Sequence, residues 1–192
     1  RLLGEFQTVS VARKPLSVQP QDGADPPRTA MVMAAGLGKR MRPLTATRPK
    51  PLVEVAGRTL LDHCIDRLKE GGVAKAVVNV HYLADAVEAH MRTRVSGIDI
   101  AVSDERRQLM ETGGGLMQAK DLIDADPFLC VNSDNLWVDG PVNALRLLAG
   151  RWNAEEMDAL LLLVPLARAN NHNGKGDFHM DAWGRLSRRK VS

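Results

Sequence analysis

Strand-like and helix-like patterns alternate along this chain from Thr29 onward, and this alternation restricts the fold more than any other feature. Short apolar runs predict buried strands, whereas apolar residues spaced three and four apart predict amphipathic helices. The predicted strands are 30–35, 76–80, 98–102, 128–132 and 160–165. The predicted helices lie near 60–70, 83–91, 115–123 and 141–148. We therefore expect an α/β fold in which a mainly parallel sheet carries helices on both faces.

The two ends of the chain depart from this alternation. Residues 1–28 contain Pro, Gln and Gly without apolar periodicity, so we expect a disordered N-terminal extension before one domain over 29–192. Near the other end, 177–180 and 185–189 flank an Asp-Ala-Trp-Gly turn and predict a β-hairpin. A chain of 192 residues is long enough for one such domain with a hydrophobic core.

Charge and composition argue against a nucleic-acid partner. The formal net charge is +3, but four positive charges fall within 185–190, so the rest of the chain is slightly acidic. Aromatic residues make up only 4% of the chain, which leaves few side chains for stacking on bases. The excess of basic residues therefore predicts a solvated C-terminal segment rather than a nucleic-acid-binding face.

The cysteines and the hydropathy pattern indicate a reducing compartment. Cys64 and Cys130 lie far apart, each within an apolar pattern, which predicts buried reduced thiols rather than a disulfide or a zinc site. The sequence contains no run of about 18 apolar residues of the kind that spans a bilayer. We expect a cytoplasmic protein without a membrane partner.

A glycine turn followed by basic side chains comes directly after the first predicted strand. It reads Ala-Ala-Gly-Leu-Gly-Lys-Arg-Met-Arg-Pro-Leu-Thr over 34–45, and Pro-Lys-Pro-Leu follows at 49–52. Glycines let backbone N–H groups approach phosphate oxygens, and cations neutralise the phosphate charge. A dinucleotide fingerprint requires glycine where Met41 stands, and the Walker sequence is absent. A generic turn with chance arginines is the alternative, but the combined pattern favours an oligophosphate site.

These residues resemble the signature of the sugar-1-phosphate nucleotidyltransferases. Further along, Glu-Thr-Gly-Gly-Gly at 111–115 resembles the second nucleotide-contact loop of that family, and 128–134 resembles its metal-binding strand end. Gly-Lys-Gly-Asp-Phe at 174–178 resembles a narrower group, the N-acetylmuramate-1-phosphate uridylyltransferases. The resemblance covers roughly 29–189 and implies a Rossmann-like, GT-A-like nucleotidyltransferase fold.

The resemblance implies a reaction between two phosphate compounds. A sugar-1-phosphate oxygen attacks the α-phosphorus of UTP, giving a UDP-sugar and pyrophosphate, in peptidoglycan recycling. Such a reaction requires charge neutralisation and alignment more than a general base. Two alternatives stay open: another pyrophosphorylase of this kind, such as a mannose-1-phosphate guanylyltransferase, and a nucleotide-binding fragment without catalytic activity.

The resemblance also assigns roles to single residues. Arg40 is expected at the β- and γ-phosphates and Lys50 at the α-phosphate, so both are candidate catalytic residues. Asp134 is the candidate ligand for Mg²⁺, with an N-cap or Asx turn as the alternative. Asp177 is a candidate sugar contact, with an ordinary hairpin aspartate as the alternative. The remaining candidate nucleotide-binding residues are Ala35, Gly36, Gly38, Lys39, Glu111, Thr112, Gly113 and Asn132.

One part of the family pattern has no counterpart in this sequence. The second metal carboxylate of the family comes from a late Trp-x-Asp-Val-Gly-Thr-like segment, and nothing here resembles it. Family members continue beyond the hairpin, so we expect a domain that is C-terminally truncated. Nucleotide binding is then expected to survive better than turnover.

Overall fold

The computed structural model describes residues 25–169 and 173–189. The described residues up to 145 form one compact unit, and those from 146 onward form a second. Most of the predicted N-terminal extension, residues 1–24, lies outside the described residues. The carbonyl of Arg28 accepts hydrogen bonds from the amides of Ala74 and Lys75, so the chain is bound to the first unit just before the sheet begins.

A parallel sheet forms the centre of the first unit. Its strands β1, β4, β5 and β6 lie in the order β5-β4-β1-β6, and every neighbouring pair is parallel. A small antiparallel pair, β2 with β3, lies between β1 and β4 in the chain. The strand bounds are β1 Thr29–Met33, β2 Glu54–Val55, β3 Arg58–Thr59, β4 Lys75–Val80, β5 Asp99–Asp104 and β6 Leu129–Asn132. The predicted parallel α/β sheet is confirmed.

The described residues contain five α-helices. Their bounds are α1 Leu60–Glu70, α2 Ala84–Arg94, α3 Glu111–Gln118, α4 Lys120–Ile123 and α5 Ala144–Ala149. The hydroxyl of Thr59 accepts from the amide of Asp62 at 3.0 Å, and the Asp62 carboxylate accepts from the amide of Thr59. This capping box satisfies backbone donors that the first turn of α1 leaves unpaired. The predicted N-cap at Thr59 is confirmed.

Both faces of the sheet are covered, as its alternating side chains require. On one face, Val32 and Val78 pack in a core to which α1 contributes Leu61 and Leu68. On the other face, Met31 and Val77 pack with Ala119 and Ile123 of the α3–α4 segment.

The strand order places a crevice beside β1. The chain passes from β1 to β4 and β5 on one side, then returns to place β6 on the other side. The segments that follow β1 and β6 therefore leave the sheet at its carboxyl edge, where open α/β sheets bind their ligands.

Three sequence-based expectations need correction. The helix predicted over 115–123 begins earlier, at Glu111, and is interrupted at Ala119. Cys64 is buried as expected, but Cys130 is exposed, because it lies on the edge strand β6, whose side chains are only alternately covered. The strand predicted over 160–165 is wrong: no described strand pairs with these residues, so its backbone lacks the hydrogen bonds a strand requires.

The predicted hairpin near the C-terminus is present in the second unit. Its strands, β7 Phe178–Met180 and β8 Leu186–Arg188, pair antiparallel. The Asp181 carboxylate accepts from the amides of Trp183 and Arg185, which stabilises the connecting turn. Across the described residues, no helix has the length and apolar character needed to cross a membrane.

Candidate functional site

A cavity of about 310 Å³ opens at the carboxyl edge of the sheet, within the first unit. Residues that follow β1, β5 and β6 line it together with Asn79 of β4. Eight residues that the sequence predicted to be functional line this cavity: Ala35, Gly36, Arg40, Lys50, Glu111, Thr112, Asn132 and Asp134. The fold therefore brings together segments that are about 100 residues apart in the chain.

The glycine-basic loop obtains its shape from one buried threonine. Gly38 has φ +61°, a left-handed conformation that glycine adopts without steric cost. Thr45 is 1% exposed, and its hydroxyl donates to the carbonyl of Gly38 at 2.7 Å. This hydrogen bond joins the two ends of a segment that contains a short 3₁₀ turn over Lys39–Met41. The turn places Arg40 in the lining of the cavity.

A second short turn carries Lys50. This 3₁₀ turn spans Lys50–Leu52 and begins after Pro49, whose extended backbone suits the entry into the turn. The Lys50 ammonium forms an ion pair with the Oδ2 atom of Asp134, and both side chains are partly buried. On the Asp134 side, the amide of Ser133 donates to the carbonyl of Met33 at 3.1 Å, which extends the pairing of β6 with β1. The loop cation and the strand-end carboxylate thus meet at one point of the cavity.

Two buried polar residues that the sequence analysis missed connect β1 to α3. Asn79 is 1% exposed and Glu105 is 2% exposed, and both line the cavity. The Oδ1 atom of Asn79 accepts from the amides of Ala34 at 2.6 Å and Ala35 at 3.3 Å. Its Nδ2 atom donates to the Oε1 atom of Glu105 at 2.7 Å. The available signal was an asparagine within an otherwise apolar strand, since a buried polar side chain is costly unless it is paired.

The remaining oxygen of Glu105 fixes the entry to α3. Its Oε2 atom accepts from the amide of Met110 at 3.1 Å. The next residue, Glu111, has φ +49°, an uncommon backbone conformation for a residue with a side chain. From there Glu111 and Thr112 reach the cavity at the start of the helix.

The comparisons with known proteins agree with this geometry. Residues 29–172 match the family model described as nucleotidyl transferase. The chain belongs to the nucleotidyl transferase family. The family predicted from the glycine-basic loop is therefore confirmed.

Two curated relatives of this family member have the narrower name that the sequence indicated. The N-acetylmuramate alpha-1-phosphate uridylyltransferase of Caulobacter vibrioides is 47% identical over 161 residues, which is 82% of this chain and 66% of the relative. The protein of the same name from Neisseria meningitidis serogroup B is 44% identical over 152 residues, 79% of this chain and 64% of the relative. The chain thus spans just under two thirds of the length of these relatives.

A solved structure shows the same fold at lower sequence identity. The crystal structure of a UDP-glucose pyrophosphorylase complexed with UDP-glucose aligns with a TM-score of 0.56. The alignment covers 64% of this chain and 51% of that chain, at 18% identity. The likeness supports the nucleotidyltransferase fold.

Not every predicted site residue of this nucleotidyl transferase lines the cavity. Gly38 lies behind the turn that it shapes, Lys39 is exposed on that turn, and Gly113 is exposed in the first turn of α3. The amides of Ala34 and Ala35 point to Asn79 rather than into open space. Asp177 is exposed just before β7 in the second unit, and its contact with a sugar stays a prediction.

The carboxylate of Asp134 is a candidate ligand for a hard cation. Asp134 supplies a partly exposed carboxylate in a cavity with space for phosphate oxygens, and Mg²⁺ is commonly held by one or two carboxylates together with such oxygens. Within 25–169 and 173–189, no group of three or more His, Cys, Asp or Glu side chains forms a metal cage. Burial, together with the charge of Asp134, raises the pKa of Cys64 to about 12, so this thiol stays neutral and does not compete as a ligand.

Proposed function

We propose that this chain transfers a uridylyl group from UTP to a sugar-1-phosphate, giving a UDP-sugar and pyrophosphate. The main support for the proposal is that one cavity is lined by Arg40, Lys50 and Asp134 together with the start of α3. Cations on one wall suit a triphosphate, and we propose that the backbone N–H and C=O groups at the start of α3 contact the edge of the base. The names and identities of the two relatives favour uracil as the base and N-acetylmuramate 1-phosphate as the acceptor.

The proposed mechanism neutralises and aligns two anions. An oxygen of the sugar phosphate attacks the α-phosphorus, and the bond from that phosphorus to the bridging oxygen breaks as pyrophosphate leaves. A phosphate dianion is already nucleophilic, so the site requires no general base. Lys50 stabilises charge at the α-phosphate, and Arg40 stabilises charge on the departing pyrophosphate. Gly36 leaves its backbone open to the cavity, because a Cβ atom built there meets no atom within 4 Å.

A magnesium ion would add to this neutralisation. The carboxylate of Asp134 fits Mg²⁺ as its protein ligand, with the remaining positions supplied by phosphate oxygens and water. When bound, the ion supplies Lewis-acid stabilisation of phosphate charge. The ion pair with Asp134 holds the Lys50 ammonium at the same wall of the cavity, next to the place where the phosphates bind.

The proposal extends to the cellular role. N-acetylmuramate is a component of peptidoglycan, so a reaction that activates its 1-phosphate belongs to the recycling of that polymer. Because nucleoside triphosphates are held in the cytoplasm, we propose that compartment for the reaction. Asp177 is the proposed sugar contact, on the basis of the sequence motif around it.

A ligand panel tests the choice of nucleotide. The melting temperature is measured with UTP, CTP, GTP, ATP and dTTP, each with Mg²⁺, because a ligand that binds only the folded state raises it by mass action. We expect UTP to give the largest increase. An equal response to all five nucleotides would contradict the uridylyl assignment while leaving the family unaffected.

A turnover assay separates the remaining alternatives. Pyrophosphate release is followed with UTP plus N-acetylmuramate 1-phosphate and with GTP plus mannose 1-phosphate. Release with the first pair is expected, and preference for the second pair would favour a guanylyltransferase. UTP binding without release from either pair would favour a nucleotide-binding fragment that lacks catalytic activity.

A further inference from the structure

A buried polar pair joins the two walls of the cavity, and neither the reaction nor the sequence motifs account for it. We propose that Asn79 and Glu105 act as positioning residues: together they hold the glycine-basic loop and the start of α3 at one spacing, and they thereby set nucleotide affinity. This inference rests on the proposed function, since it concerns the same cavity. It assigns a role to residues that lie at the base of the site rather than at the reacting atoms.

The chemistry of the partners fixes the direction of each hydrogen bond. The backbone amides of Ala34 and Ala35 can only donate, so the asparagine atom that faces them is the acceptor Oδ1. Its Nδ2 atom must then face Glu105, where it finds an acceptor at 2.7 Å. A rotation of the amide by 180° would place donor against donor at one contact and acceptor against acceptor at the other. The pair therefore has one arrangement that satisfies every atom.

Glu105 is held from several sides. Its two carboxylate oxygens accept from Asn79 and from the amide of Met110. Its amide donates to the carbonyl of Val80 at 2.8 Å, and its carbonyl lies 2.7 Å from the Nδ1 atom of His81. Among the described ion pairs, none involves this carboxylate. Burying a carboxylate without a cationic partner costs more free energy than burying an apolar side chain. This cost favours a positioning role for Glu105 over a purely stabilising one.

The packing of α3 makes the pair rigid. A Cβ atom built on Gly115 would lie 2.8 Å from the Oε1 atom of Glu105 and 3.1 Å from the Nδ2 atom of Asn79. The backbone of α3 therefore rests directly on the two side chains. A shift of either side chain moves Glu111 and Thr112, which line the cavity on the same helix.

The affinity of the site depends on this spacing. On the opposite wall, Ala34 and Ala35 lead directly into Gly36 and the phosphate-facing loop. A ligand that contacts both walls binds well only when the walls are at the correct distance. Site geometry is sensitive on this scale: in a catalytic site a displacement of about 1 Å can lower the reaction rate by a factor of about 100.

A reciprocal exchange of the two side chains provides the test. Glu105→Gln puts an amide donor against the donor of either Asn79 or Met110, and Asn79→Asp places two carboxylates face to face. The double variant Asn79→Asp with Glu105→Gln restores every hydrogen bond, because the donor and the acceptor between the two side chains are exchanged. All three variants keep the shape of the side chains. UTP affinity is measured by calorimetry on the full chain with Mg²⁺.

We expect each single variant to weaken UTP binding at least tenfold and the double variant to return to within threefold of wild type. Single variants that bind UTP like wild type, or a double variant as weak as the single ones, would overturn the proposal. Leu68→Ala is the control for general destabilisation, because this fully buried core residue lies outside the cavity. It should lower the melting temperature and leave UTP affinity unchanged.

Amide hydrogen exchange tests the positioning role without requiring that the protein bind a nucleotide. The amides of Ala34 and Met110 should exchange faster in Glu105→Gln and return to the wild-type rate in the double variant. This pattern in a protein that binds no nucleotide would refute the proposed function and retain the positioning role. Unchanged exchange in Glu105→Gln, in a protein that does bind UTP, would refute the positioning role alone.

Discussion

The two walls of the cavity are built on different principles. One wall is formed by the glycine-basic loop and the end of β6, and we call it the phosphate wall because phosphates are proposed to bind there. On it, Arg40 is exposed and the ion pair of Lys50 with Asp134 is only partly buried. On the wall formed by β4 and the start of α3, Asn79 and Glu105 are almost fully buried. The first wall presents charged side chains to the cavity, whereas the second holds polar side chains whose hydrogen bonds fix the backbone of both walls. The two walls should therefore respond to mutation in different ways. Substitutions of contact residues should lower turnover and UTP affinity, whereas substitutions of positioning residues should lower UTP affinity and stability together.

The largest effect is expected on the phosphate wall. Lys50→Ala should lower turnover about 100- to 1,000-fold, because it removes the cation that is proposed to stabilise charge at the α-phosphate. UTP affinity should fall less, since Arg40 is proposed to hold the other phosphates and is retained. Pyrophosphate release and calorimetry measure the two quantities. Lys120→Ala removes an exposed lysine of α4 that does not line the cavity, and it should leave both quantities unchanged. Wild-type turnover in Lys50→Ala would refute the assigned role.

The next effect is expected on the buried wall. Gly115→Ala should lower the free energy of unfolding by about 1–3 kcal/mol, because the added methyl group would lie 2.8 Å from the Oε1 atom of Glu105, closer than real Cβ atoms approach, and 3.1 Å from the Nδ2 atom of Asn79, which is a tight contact. UTP affinity should fall with it. Chemical denaturation and calorimetry check both. Gly113→Ala is the matched control on the same helix, since nothing lies within 4 Å of its Cβ, and it should keep the stability. Equal stability in both variants would contradict the close packing of Gly115 on Glu105 and Asn79.

Gly36→Ala should separate affinity from stability. Its added Cβ meets no protein atom within 4 Å, so the melting temperature should stay constant. The methyl group points into a cavity where phosphate is proposed to approach the backbone, so UTP affinity should fall about tenfold, which corresponds to about 1.4 kcal/mol. If affinity stays at the wild-type value, the backbone at this position is not a phosphate contact.

A smaller effect is expected when the hydrogen bond that supports the glycine-basic loop is removed. Thr45→Val keeps the volume and removes the hydroxyl that donates to Gly38, so the free energy of unfolding should fall by about 1 kcal/mol. UTP affinity should decrease only slightly. Thr47→Val, at an exposed position two residues further on, is the control and should change neither. A stable Thr45→Val protein with unaltered binding would show that the loop keeps its shape without this hydrogen bond.

The smallest effect is expected at the start of α1, which belongs to neither wall. Burial acts to raise the pKa of Asp62, but hydrogen bonds with His90 and Thr59 outweigh it and hold the pKa below its ordinary value of 3.8. A carboxyl group with a lowered folded-state pKa stabilises the protein above its unfolded pKa, and that contribution disappears as the pH falls through the folded pKa. Urea denaturation from pH 6 to pH 3 should show wild type losing its advantage over Asp62→Asn below about pH 4. A constant difference between the two proteins would contradict this.

Sequence reasoning found the phosphate wall more completely than the other. The glycine turn, Arg40 and Lys50 lie within the 15 residues 36–50, so they can be recognised together as a local motif. Asp134 was predicted from the resemblance of 128–134 to the strand end of the family, and its position after β6 agrees with the rule that ligands bind at the carboxyl edge of a parallel sheet. The helical nature of 111–114 was missed because three consecutive glycines are typical of a loop, whereas hydrogen bonding through Glu105 and packing on the sheet make this segment the first turn of α3.

The sequence by itself determined the family, the parallel sheet and most of the side chains that line the cavity where phosphates are proposed to bind. These features depend on hydrophobic periodicity and on charged residues close together in the chain, both of which can be read locally. Only the tertiary structure revealed that Asn79 and Glu105, 26 residues apart, join across β4 and β5 and support both walls of the cavity. A single asparagine in a strand has no evident partner until the strands are placed side by side, because hydrogen bonds between distant residues depend on register rather than on sequence spacing.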